Sequence, residues 1–414
     1  MIKILSNISQ IISVDTYGKN LKRGKELNEL EVLTNSSIVI ENDIIKDIIP
    51  SASVKNYEAD EIIDLKGKII LPGLVECHTH TAFAGSRANE FREKLSGISY
   101  EEIAKSGGGI NSTVNAVRNA SVEELVDLLS PRINYFISQG ITTLEIKSGY
   151  GLDFQNEIKL LKVINYLNQK YPIDIVPTFL GAHTYPPEFK TNHDSYIRLL
   201  TDEMLPYISE NKLAAFCDGF CEPTAFSADE IDNIFLKAKE LGFNLRLHTD
   251  QFNSIGGIDT AVKYNALSVD HLEVISNKDI DKLCLTDIVC VLLPGVSFFL
   301  NHKYAPAREL IDGNAVVALS TDYNPGSSNI CELNLIMSMA ALKMGMTVEE
   351  TISAVTINAA KALNMNKFIG SIEMGKKADF AVFQTNDYAD IIYNVGKNLN
   401  CMTIKNGEVI YIAD

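Results

Sequence analysis

The sequence lacks any apolar stretch near the roughly 20 residues that a membrane-spanning helix needs. Its beginning, Met-Ile-Lys-Ile-Leu-Ser-Asn-Ile-Ser, is too interrupted by polar residues to resemble a secretory signal. Solenoid-type repeats and low-complexity tracts are also missing. We therefore expect a cytoplasmic protein that does not associate with membranes.

Cysteine is scarce, and its spacing suggests no disulfide framework. The seven cysteines are an odd number without paired spacing, which fits a reducing cytosol. Cys217 and Cys221 could be read as half of a zinc site, but no second thiol pair accompanies them. We therefore do not favour a cysteine-bound structural zinc.

Positive charge is in deficit, with 37 Lys and Arg residues against 53 Asp and Glu residues and a net charge of −16. This balance argues against nucleic acid as a partner. It would also repel an anionic substrate, although salt screens the field within roughly 8–10 Å. Such a substrate needs a local cation, and the guanidinium of Arg87 suits bidentate capture of a carboxylate. A solvated loop arginine remains the alternative.

Short apolar or β-branched runs alternate along the chain with helix-like segments, and most runs end in a chemically capable residue. Eight strand–helix units predict an α/β fold in which a parallel sheet closes into a (β/α)8 TIM-type barrel. The active site of such a barrel lies at the C-terminal ends of its strands. The eight runs cover residues 68–77, 141–150, 174–183, 215–222, 244–250, 266–271, 287–294 and 315–322.

The segments between the runs carry helix-start signals. Three of them fit the capping box, a hydroxyl residue followed three positions later by a carboxylate. Ile231, Ile234 and Phe235 recur at helical spacing within one of these segments. The three boxes lie at 121–124, 227–230 and 347–350.

The chain is longer than a barrel requires, since 414 residues exceed the roughly 250 of a plain barrel. Both ends are rich in strand-like pieces, including a hairpin centred on Asn406-Gly407. We therefore predict a small composite β domain, formed by residues 1–65 and 366–414, beside a barrel of residues 66–365.

A His-x-His pair, His78 and His80, stands at the end of the first run. Side chains two residues apart on a strand point to the same side, so both imidazoles can face one ion. Two histidines in a polar loop would give the same pattern. His193 and His302 lie outside the pattern of run ends and are interpreted as surface or loop residues. Five of the seven histidines do fall at run ends, which favours one shared site: His78, His80, His183, His248 and His271.

Imidazoles combined with one carboxylate suit Zn²⁺ or Fe²⁺ better than Mg²⁺ or Ca²⁺, which prefer oxygen ligands. Three histidines with Asp322 and a water would leave an open position of the catalytic type. A structural zinc is disfavoured because such sites are usually rich in cysteine. Other residues expected at the C-terminal ends of the barrel strands are then free to bind substrate or to move protons: His183, His271, Tyr150 and Gln251.

With the His-x-His pair, a histidine on each of strands five and six and an aspartate on strand eight, the chain resembles the amidohydrolase superfamily. Within it, the chain resembles the imidazolonepropionase family, the ring-opening enzymes of histidine degradation. Lys-Ser-Gly-Tyr-Gly at 147–151 and Thr-Asp-Tyr-Asn-Pro-Gly at 321–326 are specific to that family. The resemblance rests on residues 72–80, 90–102, 107–110, 145–151, 179–183, 320–327 and 370–379.

The resemblance implies that 4-imidazolone-5-propanoate is opened by water to N-formimidoyl-L-glutamate, with Arg87 holding the propanoate carboxylate. Its implied metal ligands are His78, His80, His248 and Asp322. Its implied substrate contacts are Arg87, Tyr150, His183, Asn324, Gly326 and Ser327.

We hypothesise that metal-bound hydroxide attacks the ring carbonyl. His271 would stabilise the oxyanion or shuttle a proton, and Asp322 would pass the water's proton toward the departing nitrogen. His183 and Gln251 complete the catalytic set. Some family members carry a glutamate at the position of Gln251. Because glutamine cannot take a proton, we expect Gln251 to orient or hydrogen-bond the substrate, and base work to fall on Asp322 or His271.

A single divalent ion is expected. Two-metal members of the superfamily often use a carboxylated lysine at the end of strand four, where this chain has Cys221-Glu222. Lys147 is the alternative bridge. The glycines at 107–109 predict either a lid hinge or a simple turn.

Three rival functions stay open. A hydantoin- or dihydropyrimidine-type hydrolase would more commonly show the bridging lysine. A heterocycle deaminase would commonly show His-x-x-Glu, where this chain has His248-Thr-Asp-Gln251. A non-catalytic metal-binding barrel would have lost a ligand, and none is missing. The expected partner is a small anionic substrate, and a homodimer is compatible with the sequence.

Overall fold

The computed structural model describes residues 1–97 and 108–413. Its centre is a curled sheet of eight parallel strands, in which sequence neighbours are also neighbours in space. Each of the eight predicted runs contains one of these strands, so the predicted TIM-type barrel is confirmed. The strands are β8 (Leu74–Glu76), β9 (Ile141–Lys147), β10 (Asp174–Ala182), β11 (Phe216–Cys221), β12 (Asn244–Thr249), β13 (Ser268–His271), β14 (Val289–Leu292) and β15 (Val316–Leu319).

The first and last strands of this sheet meet through the backbone that follows them. The amide of Asp322 donates to the carbonyl of His78 at 3.1 Å, and the amide of His80 donates to the carbonyl of Tyr323 at 3.0 Å. Glu76 lies at the same seam and accepts a hydrogen bond from the His78 amide at 3.3 Å. Burial raises the pKa of the Glu76 carboxyl to about 7. The segments that close the barrel therefore also carry the predicted metal ligands.

The apolar run at 68–77, expected as one strand, is split in two. Its first half, β7 (Ile69–Pro72), belongs to a different sheet from β8, and Gly73 lies between them. A Cβ atom on Gly73 would overlap the side chain of Thr142 on β9. The close approach of the Thr142 side chain therefore requires glycine at this bend.

Two further sheets lie outside the eight-stranded one. The sheet ordered β5–β4–β1–β6 comes from the N-terminal segment alone, and the sheet ordered β18–β17–β16–β7–β2–β3 combines strands from both ends of the chain. The predicted hairpin at Asn406-Gly407 joins the last two strands, with φ values of 52° and 76° at its two turn residues. The division into a barrel and a composite β domain stays a prediction. The strands are β1 (Ile2–Ser6), β2 (Gln10–Ile12), β3 (Val32–Leu33), β4 (Ser36–Glu41), β5 (Ile44–Pro50), β6 (Glu61–Asp64), β16 (Phe380–Phe383), β17 (Asn400–Lys405) and β18 (Glu408–Ile412).

Helices follow every barrel strand. Those after β8 to β11 are α1 (Ala88–Leu95), α2 (Ile110–Asn119), α3 (Val122–Ser138), α4 (Phe154–Lys170), α5 (His193–Arg198), α6 (Leu205–Glu210) and α7 (Ala228–Glu240). Those after β12 to β15 are α8 (Gly257–Tyr264), α9 (Asn277–Cys284), α10 (Pro294–Leu300), α11 (Ala307–Asp312), α12 (Leu333–Met344), α13 (Val348–Ala354) and α14 (Ile357–Ala362). A short α15 (Asp390–Tyr393) lies between β16 and β17, with 3-10 turns at Gly24–Asn28, Ser51–Asn56 and Pro187–Phe189 and a π-helical segment at Leu199–Met204.

The predicted helix starts are confirmed. Ser121, Ser227 and Thr347 each cap a helix through a reciprocal capping box. The apolar face of α7, which includes Ile231 and Phe235, is buried against the barrel core. Across the described residues, no helix combines the length and apolar composition that crossing a membrane would demand.

Candidate metal centre and active site

Four side chains converge at the C-terminal ends of the barrel strands. His78 and His80 follow β8, His248 lies on β12 and Asp322 follows β15. The Nε2 atoms of His78 and His80 each lie 3.3 Å from Oδ1 of Asp322. The Nε2 atoms of His80 and His248 are also 3.3 Å apart. All four residues are buried, with at most 3% of their surface exposed.

These spacings fit a bound metal ion. Ligand atoms bound to one ion through bonds of about 2.0–2.2 Å lie roughly 3 Å or slightly more from one another, as the 3.3 Å separations here do. Nε2 of His78 and Oδ1 of Asp322 are buried and have no hydrogen-bond partner within the described part of the chain. Buried polar atoms without partners are costly unless a ligand satisfies them. The donor set of imidazoles and one carboxylate fits a single divalent cation.

Carboxylates behind the histidines fix their ring orientation. Oδ2 of Asp270 lies 2.8 Å from Nδ1 of His78, and Oδ1 of Asp218 lies 3.0 Å from Nδ1 of His248. A carboxylate on Nδ1 keeps the proton there and leaves the Nε2 lone pair for the ion. Asp218 and Asp270 therefore support two of the candidate ligands.

Two buried cations neutralise this layer of carboxylates. Nζ of Lys147 lies 2.8 Å from Glu145 and 3.0 Å from Asp218. Arg246 lies 3.0 Å from Asp270. All five side chains are fully buried. Lys147, considered above as a bridge between two ions, is instead held between two carboxylates.

Sequence reasoning missed most of this ionic layer, although the sequence contained a signal for it. Asp218, Arg246 and Asp270 are charged residues inside otherwise apolar strand runs. Arg246 is two positions before His248, so both side chains point to the same face of β12. A charge at a buried strand position next to a candidate ligand predicts a supporting role for that charge.

The candidate ligands open onto a cavity of about 570 Å³. The remaining predicted site residues line it, while His78 is fully buried behind its wall. The structure thus gathers every residue predicted for the site, although their individual roles stay predictions. The predicted residues that line the cavity are His80, Arg87, Tyr150, His183, His248, Gln251, His271, Asp322, Asn324, Gly326 and Ser327.

Arg87 lies in the wall of the cavity and is held by Glu90. Its Nε donates to Oε2 of Glu90 at 2.8 Å. Glu90 also accepts hydrogen bonds from the amide of Gly109 at 3.1 Å and from Oγ of Ser112 at 2.9 Å. A Cβ atom on Gly326 would overlap the guanidinium of Arg87. Gly326 therefore provides the space that Arg87 occupies.

Tyr150 lies in the loop after β9, which Glu157 organises. The fully buried Glu157 carboxylate accepts hydrogen bonds from three backbone amides, those of Gly149, Gly151 and Leu152. This arrangement fixes the loop on both sides of Tyr150. Glu157 was not identified from the sequence, since one glutamate in an amphipathic helix has no distinctive pattern.

His183 stacks on His80, with ring centroids 5.0 Å apart. Its Nδ1 lies 2.8 Å from the carbonyl oxygen of Gly149, so this nitrogen carries the proton and donates. Burial lowers the pKa of the His183 imidazole to about 3. Its Nε2 is therefore suited to accept a hydrogen bond.

Both the nitrogen and the oxygen of the Asn324 side-chain amide form hydrogen bonds within the protein. Its Nδ2 donates to Oδ2 of Asp322 at 3.1 Å. Its Oδ1 accepts hydrogen bonds from the amides of Gly326 at 2.8 Å and Ser327 at 2.7 Å. Asn324 thus orients the candidate aspartate ligand and shapes the turn that borders Arg87.

His271 lies beside the four candidate ligands. Its ring centroid is 5.4 Å from that of His248 and 5.9 Å from that of His78. Its φ of 89° is in the left-handed region, which is strained for a non-glycine residue. Gln251 also lines the cavity and is 6% exposed.

The cavity includes residues that the sequence analysis did not name for the site. His302, interpreted as a surface or loop residue, lies in a loop and packs edge-on against Phe252 at a centroid distance of 5.3 Å. Half of the unnamed residues, namely Thr224, Phe252, Asn253 and His302, are in loops, where no periodic pattern marks them. The unnamed residues are Lys94, Ile110, Phe220, Thr224, Phe252, Asn253, Leu300 and His302.

Cys217 and Cys221 were the candidates for half of a zinc site. Within residues 1–97 and 108–413, no group of three or more metal-ligating side chains includes Cys217 or Cys221, and both are buried free thiols.

Gly107 and the end of the 90–102 stretch lie outside the described residues. Gly109 immediately precedes α2 with a φ of 75°.

Comparison with known proteins agrees with the barrel fold. Residues 69–410 match the Amidohydrolase family, so this chain is a member of that class of metal-dependent hydrolases. Imidazolonepropionase from Fusobacterium nucleatum is 41% identical over 99% of this chain and 98% of its own length. Imidazolonepropionase from Alkaliphilus oremlandii is 43% identical over 98% of this chain and 97% of its own length. The chain belongs to the imidazolonepropionase family.

Solved structures of other proteins share the fold. An adenosine deaminase from Xanthomonas campestris with bound zinc has a TM-score of 0.74 at 15% identity, covering 99% of this chain and 93% of its own. Guanine deaminase from E. coli has a TM-score of 0.73 at 15% identity, with complete coverage of both chains. At this identity the likeness establishes the shared architecture alone.

Proposed function

We propose that this chain hydrolyses the ring of 4-imidazolone-5-propanoate to give N-formimidoyl-L-glutamate. Membership of the imidazolonepropionase family supports this reaction. The observation that carries it is a single cavity lined both by candidate metal ligands and by Arg87. Such a cavity suits a small molecule with a carboxylate at one end and a hydrolysable ring at the other.

His78, His80, His248 and Asp322 would hold one divalent ion. We propose Zn²⁺ or Fe²⁺, because imidazole ligands favour these borderline ions over magnesium or calcium. When bound, such an ion lowers the pKa of a coordinated water and polarises a carbonyl oxygen. Elemental analysis of protein purified without added metal distinguishes the two ions.

Arg87 binds the propanoate carboxylate and thereby sets the orientation of the ring. Its guanidinium is already fixed by Glu90 and fits beside Gly326, so little conformational entropy is lost on binding. This local cation also offsets the net charge of −16, which disfavours approach of an anion. Tyr150, Gln251 and Ser327 complete the substrate contacts.

Asp322 takes a proton from the attacking water and passes it to the ring nitrogen as the carbon–nitrogen bond breaks. Asn324 holds the second carboxylate oxygen of Asp322 at 3.1 Å and limits its rotation during this transfer. His271 stabilises the negative charge that develops on the carbonyl oxygen. His183 accepts a hydrogen bond from the substrate through Nε2, since its Nδ1 is already donating to Gly149.

The direct test follows the ultraviolet absorbance of enzymatically prepared imidazolone propanoate. We expect loss of the substrate band with the untreated protein and no loss after complete removal of metal. Activity should return with Zn²⁺ or Fe²⁺. Hydantoin, dihydrouracil and guanine serve as controls for the rival functions, and turnover of one of them in place of imidazolone propanoate would overturn the proposal.

We also propose that the substrate is a free small molecule and that the protein acts in the cytoplasm. A homodimer remains a prediction from the sequence. Sedimentation analysis of the purified protein would test it.

A further inference from the structure

Glu273, two residues after β13, has no assigned role in the site described above. It is 2% exposed, and both of its carboxylate oxygens are buried without a hydrogen-bond partner among residues 1–97 and 108–413. A buried carboxylate normally has several partners, because isolation from water is costly. Glu350, for comparison, is 1% exposed and bonds to Arg308, Asn28 and the amide of Thr347.

The ring of His271 lies close to the Glu273 carboxylate. Oε1 of Glu273 lies 3.6 Å from Nδ1 of His271, and this nitrogen is also buried without a partner among the described residues. The distance is slightly longer than a hydrogen bond. Catalytic hydrogen bonds are often long in the ligand-free state and shorten when substrate binds.

The backbone is strained in a way that brings these two side chains together. His271 and Leu272 have consecutive positive φ values of 89° and 71°. Each such residue costs about 1–3 kcal/mol, so the surrounding structure must enforce the turn. The amide of Val274 donates to the carbonyl of Asp250 at 2.9 Å and anchors its far side. As a result the side chain of residue 273 returns to the ring of residue 271.

The same pairing occurs at two other histidines of this rim. Nδ1 of His78 faces Asp270, and Nδ1 of His248 faces Asp218. In both cases the carboxylate contacts Nδ1 and the opposite nitrogen is directed toward the site. Glu273 and His271 repeat this arrangement with a carboxylate from the strand's own following turn.

We propose that Glu273 is the positioning residue for His271. Its carboxylate accepts a hydrogen bond from Nδ1–H, so Nδ1 keeps its proton and only Nε2 exchanges hydrogen bonds or protons with the substrate. The inference rests on the proposed function, because it assumes that His271 acts on the ring carbonyl.

Glu273→Gln is the principal test, since it removes the charge with little change of volume. We expect kcat to fall about 10- to 100-fold, as for other residues that support a reacting group, with KM nearly unchanged. The midpoint of thermal unfolding should change little, because among the described residues the Glu273 carboxylate gives up at most its one long contact with His271. The matched control, Glu350→Gln, should lower the unfolding midpoint and leave kcat unchanged.

A spectroscopic measurement separates this inference from the proposed function. The measurement is an NMR spectrum of metal-free protein with ¹⁵N-labelled histidines. The signals of His271 are identified as those missing from the spectrum of the His271→Asn variant. We expect His271 protonated at Nδ1 in the unmodified chain and a mixture of tautomers in Glu273→Gln. This result is independent of which substrate the protein turns over.

Several outcomes would overturn the inference. They are an unchanged tautomer in Glu273→Gln, an unchanged kcat, or a loss of stability like that of Glu350→Gln accompanied by parallel changes in KM and kcat. Glu273→Gln should also add little to the loss caused by His271→Asn, and additive losses would show that Glu273 acts elsewhere. If the tautomer changes as expected but imidazolone propanoate is not hydrolysed, the pairing stands and the proposed function fails.

Discussion

Nδ1 of His78 lies 2.8 Å from Oδ2 of Asp270, and both side chains are completely buried. Asp270 also pairs with Arg246 at 3.0 Å, so the candidate ligand is tied to a cation deep in the barrel. Burial excludes water from this chain of contacts and strengthens each of them. The orientation of His78 is therefore set by the barrel interior.

Asp270→Asn should weaken binding of the divalent ion by about 10- to 100-fold, because His78 loses the carboxylate that keeps its proton on Nδ1. Competition with a chromophoric chelator measures this affinity directly. Asp312→Asn, which changes an exposed carboxylate paired with Arg308, is the control and should bind metal like the unmodified protein. Equal affinity in both variants would show that Asp270 does not support the site.

Arg87→Ala should mainly raise KM for imidazolone propanoate. Loss of a desolvated pairing with the substrate carboxylate costs about 2–4 kcal/mol, which is a KM increase of about 30-fold or more. Arg92→Ala, at an exposed position of the same helix α1, is the matched control and should leave KM unchanged. An unaltered KM in Arg87→Ala would place the carboxylate-binding group elsewhere.

Gly326→Ala should reproduce part of this defect without removing the guanidinium. The added methyl overlaps the end of the Arg87 side chain and must displace it. A displacement of about 1 Å lowers kcat/KM by up to about 100-fold. In the Arg87→Ala background the same change should have little further effect. Steady-state kinetics of the two single variants and the double variant test this, and independent losses would contradict a shared cause.

Lys405→Met should destabilise the fold without altering the metal site. Lys405 is 3% exposed and pairs with Asp174 at 2.6 Å and with Asp379 at 2.7 Å, which joins β17 to the start of β10. Leaving the 4%-exposed Asp379 without its cation should cost about 3–5 kcal/mol of unfolding free energy.

Denaturant titration measures the effect of Lys405→Met. Lys46→Met, which breaks an exposed pair with Glu41, is the control and should cost less than about 1 kcal/mol. Equal stability of the two variants would show that Lys405 does not stabilise the fold through its two ion pairs.

The barrel fold and the gathering of the candidate site residues were predictable, because both follow from patterns among residues close together in the sequence. A parallel barrel places the C-terminal ends of all its strands on one rim, so residues at run ends such as His78, His248 and Asp322 had to lie near one another. Helix starts such as Ser227 were predictable for the same reason, since a capping box lies within four residues.

Other features could not be read from local pattern. The run at 68–77 is mostly apolar, and only the structure shows that its two halves join different sheets, with Gly73 packed against Thr142 on the next strand. The position of Glu273 beside His271 depends on positive φ values at His271 and Leu272, in a stretch with no glycine or asparagine to signal them.

The order and type of residues along this chain determined the eight-stranded barrel, the choice of candidate ligands and the preference for a borderline divalent ion. Tertiary structure alone decided which distant side chains lie together. Lys147 lies between two carboxylates, Arg246 pairs with Asp270, and Arg87 occupies the space beside Gly326. The physical reason is the separation along the sequence between the residues that interact. Strand and helix signals act over a few residues, whereas ion pairing and close packing depend on distances between side chains that the sequence separates widely.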